Sequence, residues 1–290
     1  MRRRVLTPLE FTWIVFGISI GAGLIGSLLG LGGGIIVVPA LTLLLGLDIK
    51  YAIGASIIAV IATSSGSAAS YVRQRMANMR VGMLLEMATV TGALVGALLV
   101  GIIAKQYLYI LFSLVMTGTT IAMLRNQKDV APHEVPPDTL ADRLRLHSTY
   151  HDKAAGRTIE YRVTRTPLGL AVSGVAGMLS GLLGIGGGVL QVPMMSLGMG
   201  MPIKTSTATS NFMMGVTGAA GAGVYFAHGM INPFVAAPVV AGILVGARVG
   251  TRLLPRMHGR WVRLLFVGVL VFMAVRMFLQ GFVMIKTGAK

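Results

Sequence analysis

The chain has 290 residues, of which 54% are hydrophobic and only 12% charged, and its mean hydropathy is +0.79. Soluble domains carry about a quarter charged residues, so the composition excludes an ordinary soluble globular protein. The absence of cysteine excludes disulfides, thiolate metal sites and a cysteine nucleophile. The net charge of +16 does not mark a nucleic-acid surface, because the basic residues gather at the ends of apolar runs without interleaved aromatics.

The chain opens "MRRRVLTPLEFTWIVFGISIGAGLIG", a basic front and a long apolar run. That run is broken by glycines and has a twin deep in the chain, so it reads as a retained first helix rather than a cleaved signal. Apolar stretches follow in order at residues 11–31, 52–72, 81–104, 107–124, 167–183, 205–227, 233–254 and 261–285. Each is near or above the roughly 18 residues that mark a membrane span. The first stretch ends in "SLLGLGGGIIVVP", and "GLLGIGGGVLQVP" stands in the same place after the fifth.

The two phrases are offset by 184 − 30 = 154 residues, and the register continues without gaps. It pairs Lys50 with Lys204, Ser56 with Ser210, Thr63 with Thr217, Tyr71 with Tyr225, and Gly96 with Gly250. One unit is therefore duplicated, as 1–124 and 167–290. Duplicated units are a mark of secondary transporters, whose sites lie where the repeats meet. Between them, residues 125–166 hold six of the nine acids and three of the five histidines. They read as an aqueous, cytoplasmic connector with a short helix around 139–147. The spacing of His133, His147 and His151 matches no metal-site pattern, and no metal or cofactor is expected.

Each glycine phrase precedes an apolar stretch too short to span, 35–46 and 189–200. Non-helical backbone at membrane depth survives only where protein buries it or it lines a watery cavity. The expected fold is an all-α polytopic membrane protein of about 8 transmembrane helices in two duplicated halves. Each half has a glycine-broken helix and a short re-entrant segment. Three consecutive glycines, Gly32, Gly33 and Gly34 or Gly186, Gly187 and Gly188, exceed the small-residue spacing that helix packing needs. Such a turn offers unpaired N–H groups and the positive end of a helix dipole to an anion. No GxGxxG strand unit or GK[ST] ending supports a nucleotide site.

Several side chains are candidates beside these turns. Ser56, Thr63, Ser210 and Asn211 are neutral donors at or next to matched positions, and Gln191 lies in the second short segment. Lys50 and Lys204 recur just after the short segments. Arg248 is the deepest cation of the second half, where burial near the bilayer centre costs about 2.5–3.5 kcal/mol and calls for a cavity or a partner. Residues 161–290 contain no acid, and Glu86 alone is embedded in a span. That scarcity argues against a cationic substrate and leaves Glu86 as a proton carrier or a partner for Arg248.

The paired phrases, each followed by "IK" and a Ser/Thr-rich helix, resemble the sulfite exporter TauE/SafE family, also called the toluene-sulfonate uptake permease family. So do "TATSNFMMGVTGAAGAGVYFAHGMI" and "GILVGARVGTRL". The likeness covers the chain outside the long connector. It implies a non-enzymatic transporter of sulfite, sulfonates or related sulfur oxyanions in the cell inner membrane. The expected partners are a small anion and the lipid bilayer, without nucleic acid, and no oligomeric state is assigned. The physics favours export, since a negative interior drives anions out with about 2.3 kcal/mol per charge per 100 mV. The rival readings are an uptake permease for another small anion, an intramembrane enzyme and a scaffold. The enzyme lacks HExxH or paired carboxylates, and His228 and His258 have no acidic neighbours in sequence.

Charge also bears on topology. Arg2, Arg3 and Arg4, then Arg73, Arg75 and Arg80, then the basic residues of 125–165 all favour the cytoplasm. That gives four crossings in the first half. The same count puts Arg252, Arg256, Arg260 and Arg263 outside, against the rule, and leaves parallel and inverted repeats both open.

Overall fold

The computed structural model describes residues 7–100, 102–125 and 138–287. Arg2, Arg3, Arg4, Lys128 and His133 lie outside the described residues. The first helix, α1 (Pro8–Leu29), starts at a capping box in which Thr7 accepts the Glu10 N–H at 3.3 Å and Glu10 accepts the Thr7 N–H at 2.9 Å. It stops at Gly30, whose φ of 68° is the left-handed cap that glycine adopts without strain. The short α2 (Gly34–Pro39) runs on into a π-helical turn, Ala40–Leu44, and is followed by α3 (Ile49–Arg73), α4 (Met79–Leu99) and α5 (Lys105–Arg125).

The connector contributes α6 (Thr139–Arg143) and two strands, β1 (Ser148–Asp152) and β2 (Arg157–Tyr161). The second half repeats the first with α7 (Thr166–Leu183), α8 (Gly188–Pro193) and its π turn Met194–Gly198, α9 (Ile203–Ala227), α10 (Pro233–Leu253) and α11 (Gly259–Thr287). This is an all-α polytopic membrane protein. Among the described residues, seven helices are long and apolar enough to cross a bilayer. The eighth long helix, α9, carries a dense run of Thr, Ser and Asn that is almost wholly buried.

The glycine turns decide the crossing count. Val15 of α1, Leu41 after α2, Ala52 of α3 and Val235 of α10 share one apolar cluster, with Phe11, Leu45 and Leu47 at its edge. The chain thus climbs through α1, turns at the glycines and falls back to the face where it began. Each half makes three full passes beyond this re-entrant pair. The expectation of four crossings in the first half is corrected accordingly.

Close glycine contacts give the helix directions. Gly242 and Gly246 lie against Phe16 and Ile20, so α10 runs parallel to α1; Gly177 and Gly181 lie against Thr89 and Ala93, so α7 runs parallel to α4. In α3 and α9 the order reverses, with Gly215 beside Ser64 and Gly221 beside Ile57. The same holds for α5 and α11, where Gly281 meets Tyr109 while Arg263 shares a crevice with Met123. The two halves therefore run in opposite senses, which makes the repeat inverted. Arg80, Lys204 and the connector meet on one face, because Arg80 donates to the Arg145 carbonyl and Lys204 pairs with Asp152. The start of α11 lies against Ile203 there as well.

The connector is more than a solvated linker. Asp138 caps both α6 and the start of α7, accepting the Leu140 and Thr166 N–H groups at 2.9 and 2.7 Å. The antiparallel hairpin pairs Tyr150 with Ile159. Its Tyr150 and Tyr161, with Leu146 and Val163, pack on Met195 and Met199 of the second short segment and on Met201 just after it. Asn78 ties this cap to α4 by donating to the Leu146 carbonyl at 2.8 Å and to the Tyr161 hydroxyl at 3.1 Å.

Candidate functional site

The glycine turns meet where α3 crosses α9. Gly32 and Gly186, both left-handed, rest on the same two side chains, Val60 and Met214. The turns also touch each other. A Cβ at Gly34 would lie 2.3 Å from the Gly184 carbonyl oxygen, and one at Gly188 would lie 1.9 Å from that of Gly30. Here glycine is required by close approach as well as by conformation.

Breaking a helix at this depth strands carbonyls that lipid cannot satisfy. Each half supplies the cure for the other. Ser56 donates to the Gly184 carbonyl at 2.8 Å, and its twin Ser210 donates to the Gly30 carbonyl at 2.7 Å. Asn211 donates to the carbonyls of Ser27 and Thr207 and accepts from Ser67. Tyr71 and Tyr225 act within their own halves, donating to the carbonyls of Ser27 and Gly181, each at 2.9 Å. Sequence reasoning missed these tyrosines, although both stand in the 154-residue register that located the serines. In this state Ser56, Ser210 and Asn211 hold backbone.

The two turns then diverge. At the first, Gly33 has φ −61° and its N–H donates to Thr63 Oγ1 at 3.1 Å. The Ile243 side chain fills the space beside it, 2.2 Å from where a Cβ would stand. At the second, Gly187 has φ 74° and looser surroundings, the nearest atom to an added Cβ being Gln191 Nε2 at 3.4 Å. Thr217, the twin of Thr63, is turned away to donate to Glu86 Oε1 at 2.7 Å. Gln191, buried, donates from Nε2 to Thr89 Oγ1 at 3.0 Å, and its Oε1 has no partner among the described residues. Glu86 Oε2 and the buried hydroxyls of Thr205 and Ser206 also lack partners.

The register explains this asymmetry. Where the second turn has Gln191, Thr89 and Glu86, the matched positions around the first are Val37, Ile243 and Val240. The polar equipment is one-sided, and two symmetrical cradles are not what the fold builds. Thr89 was missed by sequence reasoning, although it follows Glu86 at the i+3 spacing that shares a helix face. A crevice of about 460 Å³ lined by Met83, Met87, Phe212 and Val216 opens beside Glu86 on the outer wall.

The cations lie elsewhere. Lys50 is half-buried at the start of α3, on the face away from the connector. Lys204 is buried at the start of α9 and bonded to Asp152 Oδ1 at 2.6 Å. Arg248 was expected to face a cavity or pair with Glu86, and neither holds. Gly242, Gly246, Ala247 and Gly250 take the packed face of α10, which turns Arg248 outward, exposed and about one turn from Arg252. No hydrogen bond or ion pair holds its guanidinium among the described residues, and a long stem of this kind can carry its charge toward an interface. Glu86 is held by Thr217 instead.

Residues 15–277 match the family described as Sulfite exporter TauE/SafE. The chain belongs to that family. Among relatives, it is 27% identical over 267 residues to the Probable membrane transporter protein YunE of Bacillus subtilis (strain 168), covering 90% of this chain and 94% of that one. It is 28% identical to a Probable membrane transporter protein of Xylella fastidiosa (strain 9a5c), covering 82% and 85%. It is 24% identical to the Probable membrane transporter protein MJ0441 of Methanocaldococcus jannaschii, covering 89% and 91%. No solved structure matches. These TauE/SafE names describe transporters rather than enzymes, and the glycine phrases lie inside the matched region.

Proposed function

We propose that this TauE/SafE protein is a secondary transporter that exports small sulfur oxyanions such as sulfite, sulfonates or thiosulfate. The anion sits at the second glycine turn, among Gly186, Gly187, Gly188, Gln191 and Thr89. The observation that carries this reading is the buried, half-satisfied amide of Gln191 beside a left-handed Gly187, where an added Cβ would meet no atom closer than 3.4 Å. Thr89 donates its one hydroxyl proton to the Leu85 carbonyl at 2.9 Å and accepts from Gln191 Nε2. The amide has a second N–H, which can be offered to an oxyanion to supplement the turn's own amides.

The duplicated units 1–124 and 167–290 form the transport core, with 125–166 on its cytoplasmic face. Arg73, Arg75, Arg80, Arg143, Arg145 and Arg252 to Arg263 crowd that face, while Lys50 and Lys105 mark the other, and short basic loops stay inside. A bacterial inner-membrane location suits this charge asymmetry. Inside-negative voltage then drives an anion outward without a coupling ion. The unpartnered Glu86 oxygen favours one alternative, proton-coupled uptake of an anion, and the sign of the voltage dependence separates the two.

The test is sulfite and thiosulfate flux in proteoliposomes. Gln191→Leu keeps the size of the side chain but removes the amide, and a hydrogen bond to a charged group is worth about 1.5–3 kcal/mol. Flux is expected to fall at least tenfold with the melting temperature little changed. Wild-type flux in the folded variant would move the anion away from this turn. Wild-type protein that carries no sulfur oxyanion would end the substrate assignment.

A further inference from the structure

The first glycine turn is closed by a contact that its duplicate lacks. There Thr63 Oγ1 accepts the Gly33 N–H at 3.1 Å and donates its own proton to the Ala59 carbonyl at 2.8 Å. Both groups are satisfied, and Gly33 is held at φ −61°. The 154-residue register puts Thr217 and Met213 where Thr63 and Ala59 stand. Thr217 instead gives its proton to Glu86 Oε1 at 2.7 Å, and the Met213 carbonyl lies farther off at 3.4 Å. Gly187 stays at φ 74°, and its N–H makes no hydrogen bond among the described residues.

Reach does not explain the difference. Gly32 and Gly186, one residue before each of these glycines, rest on the same pair, Val60 and Met214. Thr63 follows Val60 by three residues and Thr217 follows Met214 by three, the spacing that shares a helix face. Each threonine therefore stands beside its own turn. What differs is the wall opposite. Glu86 extends from α4 to Thr217, whereas the matched residue on α10 is Val240, which offers no acceptor. Glu86 is buried within a spanning helix, a place where an ionisable side chain is costly and marks a task.

We propose that Glu86 is a positioning residue: by drawing Thr217 aside, it keeps the Gly187 N–H vacant for the transported anion. The inference rests on the placement of that anion at the second turn. Without the Glu86 acceptor, Thr217 donates to the Met213 carbonyl and accepts the Gly187 N–H, which copies the closed arrangement at Gly33. The hydrogen bonds balance, since a threonine hydroxyl donates once and still accepts. Glycine allows the change because it takes φ of either sign at little cost. Glu86 thus acts through Thr217 without touching the anion.

The test is sulfite flux in proteoliposomes of the full-length protein, read as KM. Glu86→Val copies the residue at the matched position and should raise KM about tenfold, the upper worth of one competing neutral hydrogen bond. Glu86→Leu makes the same test if the valine variant does not fold. Glu86→Gln keeps an oxygen that accepts from Thr217 and should hold most of the affinity. Glu86→Val with Thr217→Val removes the competitor as well and should restore KM. A proton carrier would be silenced by glutamine and not rescued by the second valine; that pattern, or an unchanged KM in Glu86→Val, would overturn the proposal. A structure of the Glu86→Val protein decides without transport: Thr217 Oγ1 should lie in hydrogen-bond distance of the Gly187 nitrogen. A Thr217 that stays away from Gly187 would overturn the proposal whatever the protein carries. Wild-type protein that moves no sulfite, with Thr217 on Gly187 in the variant, would end the substrate assignment and still support the hold of Glu86 on Thr217.

Discussion

Gly188→Ala is expected to destabilise the folded protein by more than about 3 kcal/mol and to lower its melting temperature by many degrees. The new methyl would stand 1.9 Å from the Gly30 carbonyl oxygen and 2.9 Å from Ser210 Oγ. No flexible side chain can swing away there, since the obstacle is backbone and Ser210 pins it at 2.7 Å. Either the two glycine turns part, stranding the Gly30 carbonyl in an apolar interior, or the crossing of α3 and α9 shifts. Overpacking alone costs about 1–3 kcal/mol, and an orphaned buried acceptor adds about 1–3 more. Gly34→Ala should behave alike, since its methyl would meet the Gly184 carbonyl oxygen at 2.3 Å.

Two controls bracket the effect. Gly17→Ala faces open space on α1 and should be neutral or slightly stabilising, because alanine is the better helix former. Gly187→Ala has room for its methyl but keeps a left-handed φ of 74°, which costs about 1–2 kcal/mol. Thermal unfolding of the four variants in one detergent should therefore rank them Gly17, Gly187, then Gly34 and Gly188. A Gly188→Ala protein as stable as Gly17→Ala would mean that the turns do not touch.

Lys204→Met should be the most damaging change on the connector face. Lys204 is 1% exposed and Asp152 8%, and removing one member of a buried pair costs about 3–5 kcal/mol because the other charge is left behind. Asp152 also accepts the Ala154 and Ala155 N–H groups and the Tyr150 hydroxyl, so the hairpin depends on the same carboxylate. The double variant Lys204→Met with Asp152→Asn removes both charges and should recover much of the loss. Cleavage of the 139–163 region by a protease would report the outcome. A single variant as resistant as wild type would show that the hairpin stands without the pair.

The pair also sets an acid limit. Desolvation pushes the Asp152 carboxyl upward, but the bond and charge of Lys204 and the two turn amides outweigh it, holding it below the usual carboxylate range. A depressed folded value contributes stability that is complete above the unfolded value near 3.9. That stability is lost as pH falls through the lower folded value. The hairpin should thus stay protected across neutral and mildly acidic pH and open only below about pH 4. Opening at pH 6 would contradict this.

Much of this protein is legible along the chain. Long apolar runs report lipid contact whatever surrounds them, because each helix must satisfy its own backbone. The 154-residue register located both glycine turns and the serines that cap them, because duplicated sequence keeps its spacing. The hairpin escaped notice for the opposite reason. Its strands are five residues long and largely exposed, and only contact with Met195, Met199 and Met201 makes them worth forming.

The amino-acid order alone determined a duplicated helical membrane protein broken twice by glycine, since those features are written in local pattern and spacing. Tertiary structure decided that the halves oppose one another, that Ser56 and Ser210 serve each other's turns, that Arg248 faces outward, and that Gln191, Thr89 and Glu86 gather beside the second turn. Each of these depends on which residues meet across more than a hundred positions of chain. A side chain's partner there is set by helix direction and crossing, which no local periodicity records.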